Sequence, residues 1–162
     1  MAIAQIFSAQ TNLLDASIVT IEVDLSKGLH SFSIVGLAGK AVDEAKDRVS
    51  SAIKNTGFTS PKNKNQKVVV SLAPADIKKE GPVFDLGIAI GYLCASGDIQ
   101  ADMKKTVCIG ELSLDGSIRK VKGVIPMIIE ARKQGFTHCI ISKENSIEAS
   151  VIPDITIYPA ET

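Results

Sequence analysis

Between positions 82 and 95 the chain carries a helix-length segment with almost no polar side. Val83, Phe84, Leu86, Ile88, Ala89, Ile90 and Leu93 are spread around its circumference, and a helix that is apolar all round must be buried all round. Such a segment belongs in the middle of a domain, with other elements covering it. The chain is 162 residues long, which fits one domain, and 45% of them are apolar, enough for a sizeable core without staples.

The flanking stretches supply the cover. Residues 17–25 (SIVTIEVDL) alternate, with Val19, Ile21, Val23 and Leu25 on one face and Ile18, Thr20, Glu22 and Asp24 on the other, the period of a half-buried strand. Residues 3–10 are another strand candidate. A turn at Lys27-Gly28-Leu29 suits an antiparallel hairpin that returns as residues 31–35 (SFSIV). Then the period changes. Val42, Ala45, Val49, Ala52 and Ile53 recur three or four apart between Gly39 and Gly57, the stripe of one helix. A polar loop, 60–67, leads into a buried strand, 67–72 (KVVVSL). Beyond the central helix come short strands at 107–109 and 111–114, a turn at Asp115-Gly116, and a return at 117–121. A helix at 123–134, a strand at 138–142, a short helix at 143–151 and a strand at 155–158 follow. This alternation predicts right-handed parallel crossovers joined to an antiparallel N-terminal sheet, a single α/β domain of mixed sheet spanning 1–162.

Charge narrows the function. Eighteen basic residues balance eighteen acidic ones, so nucleic-acid binding would rest on local patches. With five Phe, two Tyr and no Trp, a stacking platform for single strands is disfavoured. Cys94, Cys108 and Cys139 stand singly in apolar runs, without metal-ligand or disulfide spacing, and are expected as buried thiols in a reducing cytosol. No signal peptide is visible, and no apolar run reaches the ~18–20 residues of a membrane span. The expected location is cytoplasmic.

Three stretches are distinctive together: IVGLAGKAVDEAKDRVSSAI from Ile34 to Ile53, LAPADIKKEGPVFDLGIAI from Leu72 to Ile90, and GELSLDGSIRKVKG from Gly110 to Gly123. In this order they resemble the N-terminal domain of the ComM/YifB family of magnesium-chelatase-like ATPases. That domain is similar to the proteolytic domain of Lon, a ribosomal protein five domain 2-like fold. The resemblance implies an accessory domain, for assembly or DNA positioning, of an ATP-dependent branch-migration DNA helicase used in natural transformation. It further implies a hexamer, and a downstream AAA+ module that uses ATP and Mg. No Gly-x-x-x-x-Gly-Lys-Ser/Thr occurs here; Gly36-Leu37-Ala38-Gly39-Lys40 lacks the first glycine and the hydroxyl. This chain by itself is expected to hold no cofactor.

The other readings are a divergent Lon-like serine peptidase and a subunit of an ATP-driven magnesium chelatase. The chelatase resemblance lies in the ATPase module. A peptidase needs a hydroxyl nucleophile at a helix N-terminus and a lysine base. By resemblance to Lon these positions are Val83, after the Lys79-Glu80-Gly81-Pro82 corner, and Ile125, two residues after Gly123. No Ser, Thr or Cys occurs from 72 to 93, and no Lys from 124 to 131. Proteolysis is therefore not expected. Asp85 in a helix's first turn is accounted for by capping, and Glu111 is a candidate partner for Arg119 or Lys79. His30 and His138 are read as structural or surface residues, and no metal site is expected. The nucleic-acid candidates are the local cations: Lys62, Lys64 and Lys67; Lys78 and Lys79; and Arg119, Lys120 and Lys122.

Overall fold

A computed structural model describes residues 2–12 and 15–162. Nine strands and five α-helices are described: β1 Ala2–Asn12, β2 Asp15–Lys27, β3 Ser31–Val35, α1 Lys40–Asp43, α2 Ala45–Asn55, β4 Gln66–Ala73, α3 Asp85–Ser96, β5 Thr106–Ile109, β6 Glu111–Leu112, β7 Ile118–Arg119, α4 Val124–Lys133, β8 His138–Ser142, α5 Lys143–Ala149 and β9 Thr156–Ala160. Seven strands form one sheet in the order β3-β4-β2-β1-β5-β8-β9, and β6 and β7 make a separate ribbon. The β1–β2 and β2–β4 contacts are antiparallel; β3–β4, β1–β5, β5–β8 and β8–β9 are parallel. The mixed α/β architecture is the one expected.

The period-two pattern of β2 sorts as read: Val19, Ile21 and Val23 are fully buried, and Leu25 nearly so. They face the same side as Ile6 of β1 and Val70 and Leu72 of β4. On that face lies α3, whose Asp85, Leu86, Gly87, Ile88, Ala89, Gly91, Tyr92 and Ala95 are all buried. The helix sits close because Gly91 has no side chain: a Cβ there would stand 2.8 Å from Val23 Cγ2. The opposite face of β1 carries Phe7, which meets Phe136 edge-on at 5.1 Å just after α4. Helices thus cover both faces of the central strands.

Two expectations are corrected. The hairpin from β2 to β3 does not form, because β4 lies between them. The turn at Gly28 spans the width of an intervening strand, and Gly28 N–H donates to the Asn65 carbonyl at the start of β4 (3.4 Å). The apolar strand β4, with Val68, Val70 and Leu72 fully buried, needs a neighbour on both sides. The five-residue β3, with Ser31, Ser33 and Val35 exposed, suits the sheet edge. The stripe between Gly39 and Gly57 is also not one helix but α1 and α2, broken at Glu44. The Ala41 carbonyl at the break accepts a hydrogen bond from Arg48 Nη2 (2.7 Å). All five stripe residues are nonetheless buried.

Gly91→Val should destabilise the fold by about 1–3 kcal/mol through overpacking, although valine is the better helix former. The urea midpoint should fall with the slope unchanged.

Candidate functional site

The chain entering α3, the end of β1 and the chain entering α4 converge on one cleft of about 380 Å³. Gln10, 4% exposed at the end of β1, fixes the first of these. Its Nε2 donates to the Lys78 carbonyl (2.9 Å) and its Oε1 accepts from the Glu80 N–H (3.2 Å). Buried Asn145 of α5 fixes the last: Oδ1 accepts from Val121 N–H (2.9 Å) and Nδ2 donates to the Val121 carbonyl (3.0 Å). Gly123 turns the chain into α4 at φ +78°, and Thr11 leaves no room for a side chain there, its Cγ2 standing 2.6 Å from where a Cβ would lie. One central strand, β1, and the chain entering two helices therefore set the cleft, with backbone held by side-chain amides.

Pro82, Val83, Val121 and Met127 are its apolar lining; Lys78, Lys120 and Lys122, with Glu80 and Glu111, supply charge. Lys78 pairs with Glu80 at 3.2 Å. Lys120 and Lys122 form no ion pair among the described residues. Three of the eight cations proposed from sequence are thus brought together. Val83, at the Lon serine position, lines the cleft, whereas Ile125 is half-exposed on the first turn of α4, outside the lining. Thr11 provides the only hydroxyl in the described lining.

The remaining cations lie elsewhere. Lys62 pairs with Asp47 (3.1 Å), and Lys64 with Asp98 (3.8 Å), lying also 5.8 Å from the centre of the Tyr92 ring. Lys67 projects from β4 over Gly28. Of these, Lys64 lies by the C-terminal half of α3, away from the cleft at that helix's start. Arg119 Nε donates to Ser113 Oγ, pointing along the β6–β7 ribbon. Lys79 is a correction: it is fully buried, and its ammonium donates to the Gly36 carbonyl (2.7 Å) and to the Pro74 carbonyl. It ties two loops together and offers nothing to a ligand at the surface. Burial pushes its pKa below the ordinary lysine value, partly countered by Asp76.

Asp85 is corrected as well. It is fully buried and caps nothing; Oδ2 accepts from Arg48 Nε at 2.6 Å and Oδ1 from Arg48 Nη2 at 3.0 Å, while Leu112 N–H adds 3.1 Å to Oδ2. Burial pushes the carboxyl's pKa up, against the pull of Arg48 and the Leu112 N–H. The hydrogen bond to Asp85 raises that of Arg48. The pair joins α2, α3 and the β6–β7 ribbon behind the cleft. Glu111, paired across the ribbon with Arg119 in register, forms no ion pair among the described residues. His30 leaves a buried Nδ1 without a partner. Cys108 and Cys139 are buried, with the Cys139 thiol pushed up to about 12 by burial. No group of three metal-ligating side chains is found among the described residues, nor is any helix long and apolar enough to cross a membrane.

The family model described as subunit ChlI of Mg-chelatase matches residues 21–145. The chain belongs to this Mg-chelatase ChlI family. Competence protein ComM of Haemophilus influenzae is 45% identical over 100% of this chain and 31% of its own length. YifB of Escherichia coli is 42% identical over 86% of this chain and 27% of its own length. Further off, a peroxisomal Lon protease homologue of Caenorhabditis elegans is 25% identical over 88% of this chain and 18% of its own length. The chain spans less than a third of each of these relatives.

Arg48→Ala should cost about 3–5 kcal/mol, because it leaves the buried Asp85 carboxylate without its counter-charge. Urea unfolding measures the loss, and NMR titration should show the Asp85 carboxyl moving further up. For Lys79, the folded chain releases its proton at a lower pH than the unfolded chain does. In the window between the lowered value and the ordinary 10.5, the unfolded state binds more protons, so stability rises with pH. Lys79→Met should lack that rise in a pH series of unfolding curves.

Proposed function

We propose that this chain is a non-catalytic accessory domain of a cytoplasmic, ring-forming, ATP-dependent DNA helicase of the ComM kind, serving assembly and DNA positioning. The observation that carries the reading is the cleft itself, where Lys78, Lys120 and Lys122 stand over an apolar lining and two of the three have no ion-pair partner among the described residues. Such cations track a phosphate backbone without reading bases. Repetition in a hexamer would turn one weak cleft into a basic ring, with affinity gained through the number of contacts. The similarity to a protein named for competence supports the same direction. ATP and Mg belong, in this reading, to a separate module of the longer protein, since this sequence has no phosphate-binding loop of the required spacing.

The chemistry of the cleft favours binding over peptide hydrolysis. An isopropyl group stands at Val83, where the resemblance to Lon places a nucleophile, and valine has no proton to give up and no lone pair to attack with.

Fluorescence anisotropy with a labelled DNA at several salt concentrations tests the reading. The chain should bind weakly, with affinity falling as salt rises. Lys120→Glu with Lys122→Glu should abolish most binding and flatten the salt slope by about 2. Salt-independent binding, or unchanged affinity of the double variant, overturns the role of the cleft. Solution mass of the full-length protein with and without ATP tests assembly: an ATP-independent monomer overturns the ring.

A further inference from the structure

A cleft that served phosphates alone would need neither an apolar floor nor a free carboxylate, and this one has both. Val83 and Met127 lie at the bottom, 7% and 2% exposed, with Pro82 and Val121 beside them. A phosphate gains nothing from such a surface, whereas the flat face of an unstacked base does, and aliphatic side chains can grip one where no aromatic ring is present. The volume of about 380 Å³ lies toward the lower end for small-ligand sites. It suits one nucleotide rather than the stacked pairs of a duplex.

The carboxylate is Glu111, half-buried in the lining. Its backbone is clamped on both sides to the start of α3. Gly110 N–H donates to the Val83 carbonyl (3.1 Å) and the Gly110 carbonyl accepts from Leu86 N–H (3.1 Å), while Leu112 N–H donates to Asp85 Oδ2 (3.1 Å). The side chain, by contrast, is unused. It forms no ion pair among the described residues, and Arg119, opposite it in the ribbon, is turned to Ser113 Oγ. Its charge favours Arg48 and disfavours Asp85, so the buried pair does not account for it. Glu80, the other acid in the lining, is neutralised by Lys78 at 3.2 Å. Glu111 is therefore a held, free acceptor inside a cleft whose other free charges, Lys120 and Lys122, are cationic.

Base chemistry decides what such an acceptor takes. An unpaired guanine presents two adjacent N–H donors, N1–H and the N2 amine, which match the two oxygens of one carboxylate. Adenine and cytosine each offer one amine beside a ring nitrogen that repels the second oxygen. Thymine offers a single N–H between two carbonyls. In a duplex the guanine donors are already used, so only a single strand can bring them to the cleft.

We propose that the cleft takes one unstacked guanine nucleotide of a single strand, its N1–H and N2 amine on Glu111 and its adjoining phosphates on Lys120 and Lys122. This rests on the DNA-positioning reading and narrows it from any phosphate backbone to a single strand with an accessible base.

Fluorescence anisotropy with four labelled single strands of equal length and charge tests it: oligothymidylate, the same strand with interspersed guanosines, the same with inosines, and an abasic strand. The guanosine strand should bind roughly 10-fold more tightly than oligothymidylate. Inosine, which lacks only the N2 amine, should lose most of that advantage, and the abasic strand should bind most weakly. Annealing a complementary strand should erase the difference between guanosine and inosine. Glu111→Gln should bring the guanosine strand and oligothymidylate to about equal affinity with the salt slope unchanged, because phosphate contacts remain. A Glu111 that acted only as a repelling surface charge would instead raise all four affinities alike in that variant. Circular dichroism establishes that the variant is folded. Equal affinity of the wild type for the guanosine strand and oligothymidylate overturns the proposal, as does a guanosine advantage that survives in Glu111→Gln or after annealing. If the wild type binds all strands alike while Lys120→Glu with Lys122→Glu binds none, this inference fails and the phosphate reading of the cleft stands. If no strand binds at all, both fail.

Discussion

Helix α3 is buried along nearly its whole length, and its only charged residue goes in with it. A carboxylate at Asp85 with no access to water is tolerable only against a fixed counter-charge and fully used oxygens. Arg48 provides the first and Arg48 with the Leu112 N–H the second. Three elements are thereby brought to one point: α2 carries the guanidinium, the β6–β7 ribbon donates the N–H, and α3 holds the acceptor. The same guanidinium takes the Ala41 carbonyl, so the break between α1 and α2 is part of the arrangement. The start of α3 is rigid because of this, and the cleft is built directly on it.

Rigid placement is what a binding surface made of weak contacts requires, since each flexible group has to be ordered before it contributes. Gln10 and Asn145 serve this end from opposite sides of the cleft, each spending its side-chain amide on the backbone of a loop that carries lysines. Lys79 works in the same manner from beneath, its ammonium closed on two carbonyls. The charged groups left for a ligand are those whose backbones are held and whose side chains are free, above all Lys120 and Lys122. The chain belongs to the Mg-chelatase ChlI family; positioning a polyanion is the role proposed above for these free cations.

Much of the fold was legible. Local periodicity marked β2, α3, α4 and β8 within a few residues, because each buries one face or all faces and its pattern follows directly from that burial. The apolar circumference of α3 and the missing hydroxyl at Val83 are statements about residue type, and sequence alone settles those. The pairing of β3 with β4 was not legible. A turn at Gly28 fixes reversal of direction but not the number of strands crossed, and which strand fills the gap depends on which one most needs two neighbours.

The sites show the same division. Sequence determined which residues carry charge, that no phosphate-binding loop is present, and that Asp85 lies in the first turn of a buried helix. Only the tertiary structure decided that Lys79 points inward while Lys120 and Lys122 remain outside, that Arg48, thirty-seven residues away, neutralises Asp85, and that the His138 and Tyr158 rings stack. The physical reason is range. Periodicity and residue type report on contacts a few residues apart, whereas ion pairs, carbonyl cages and ring stacks form between segments that only the folded sheet makes neighbours.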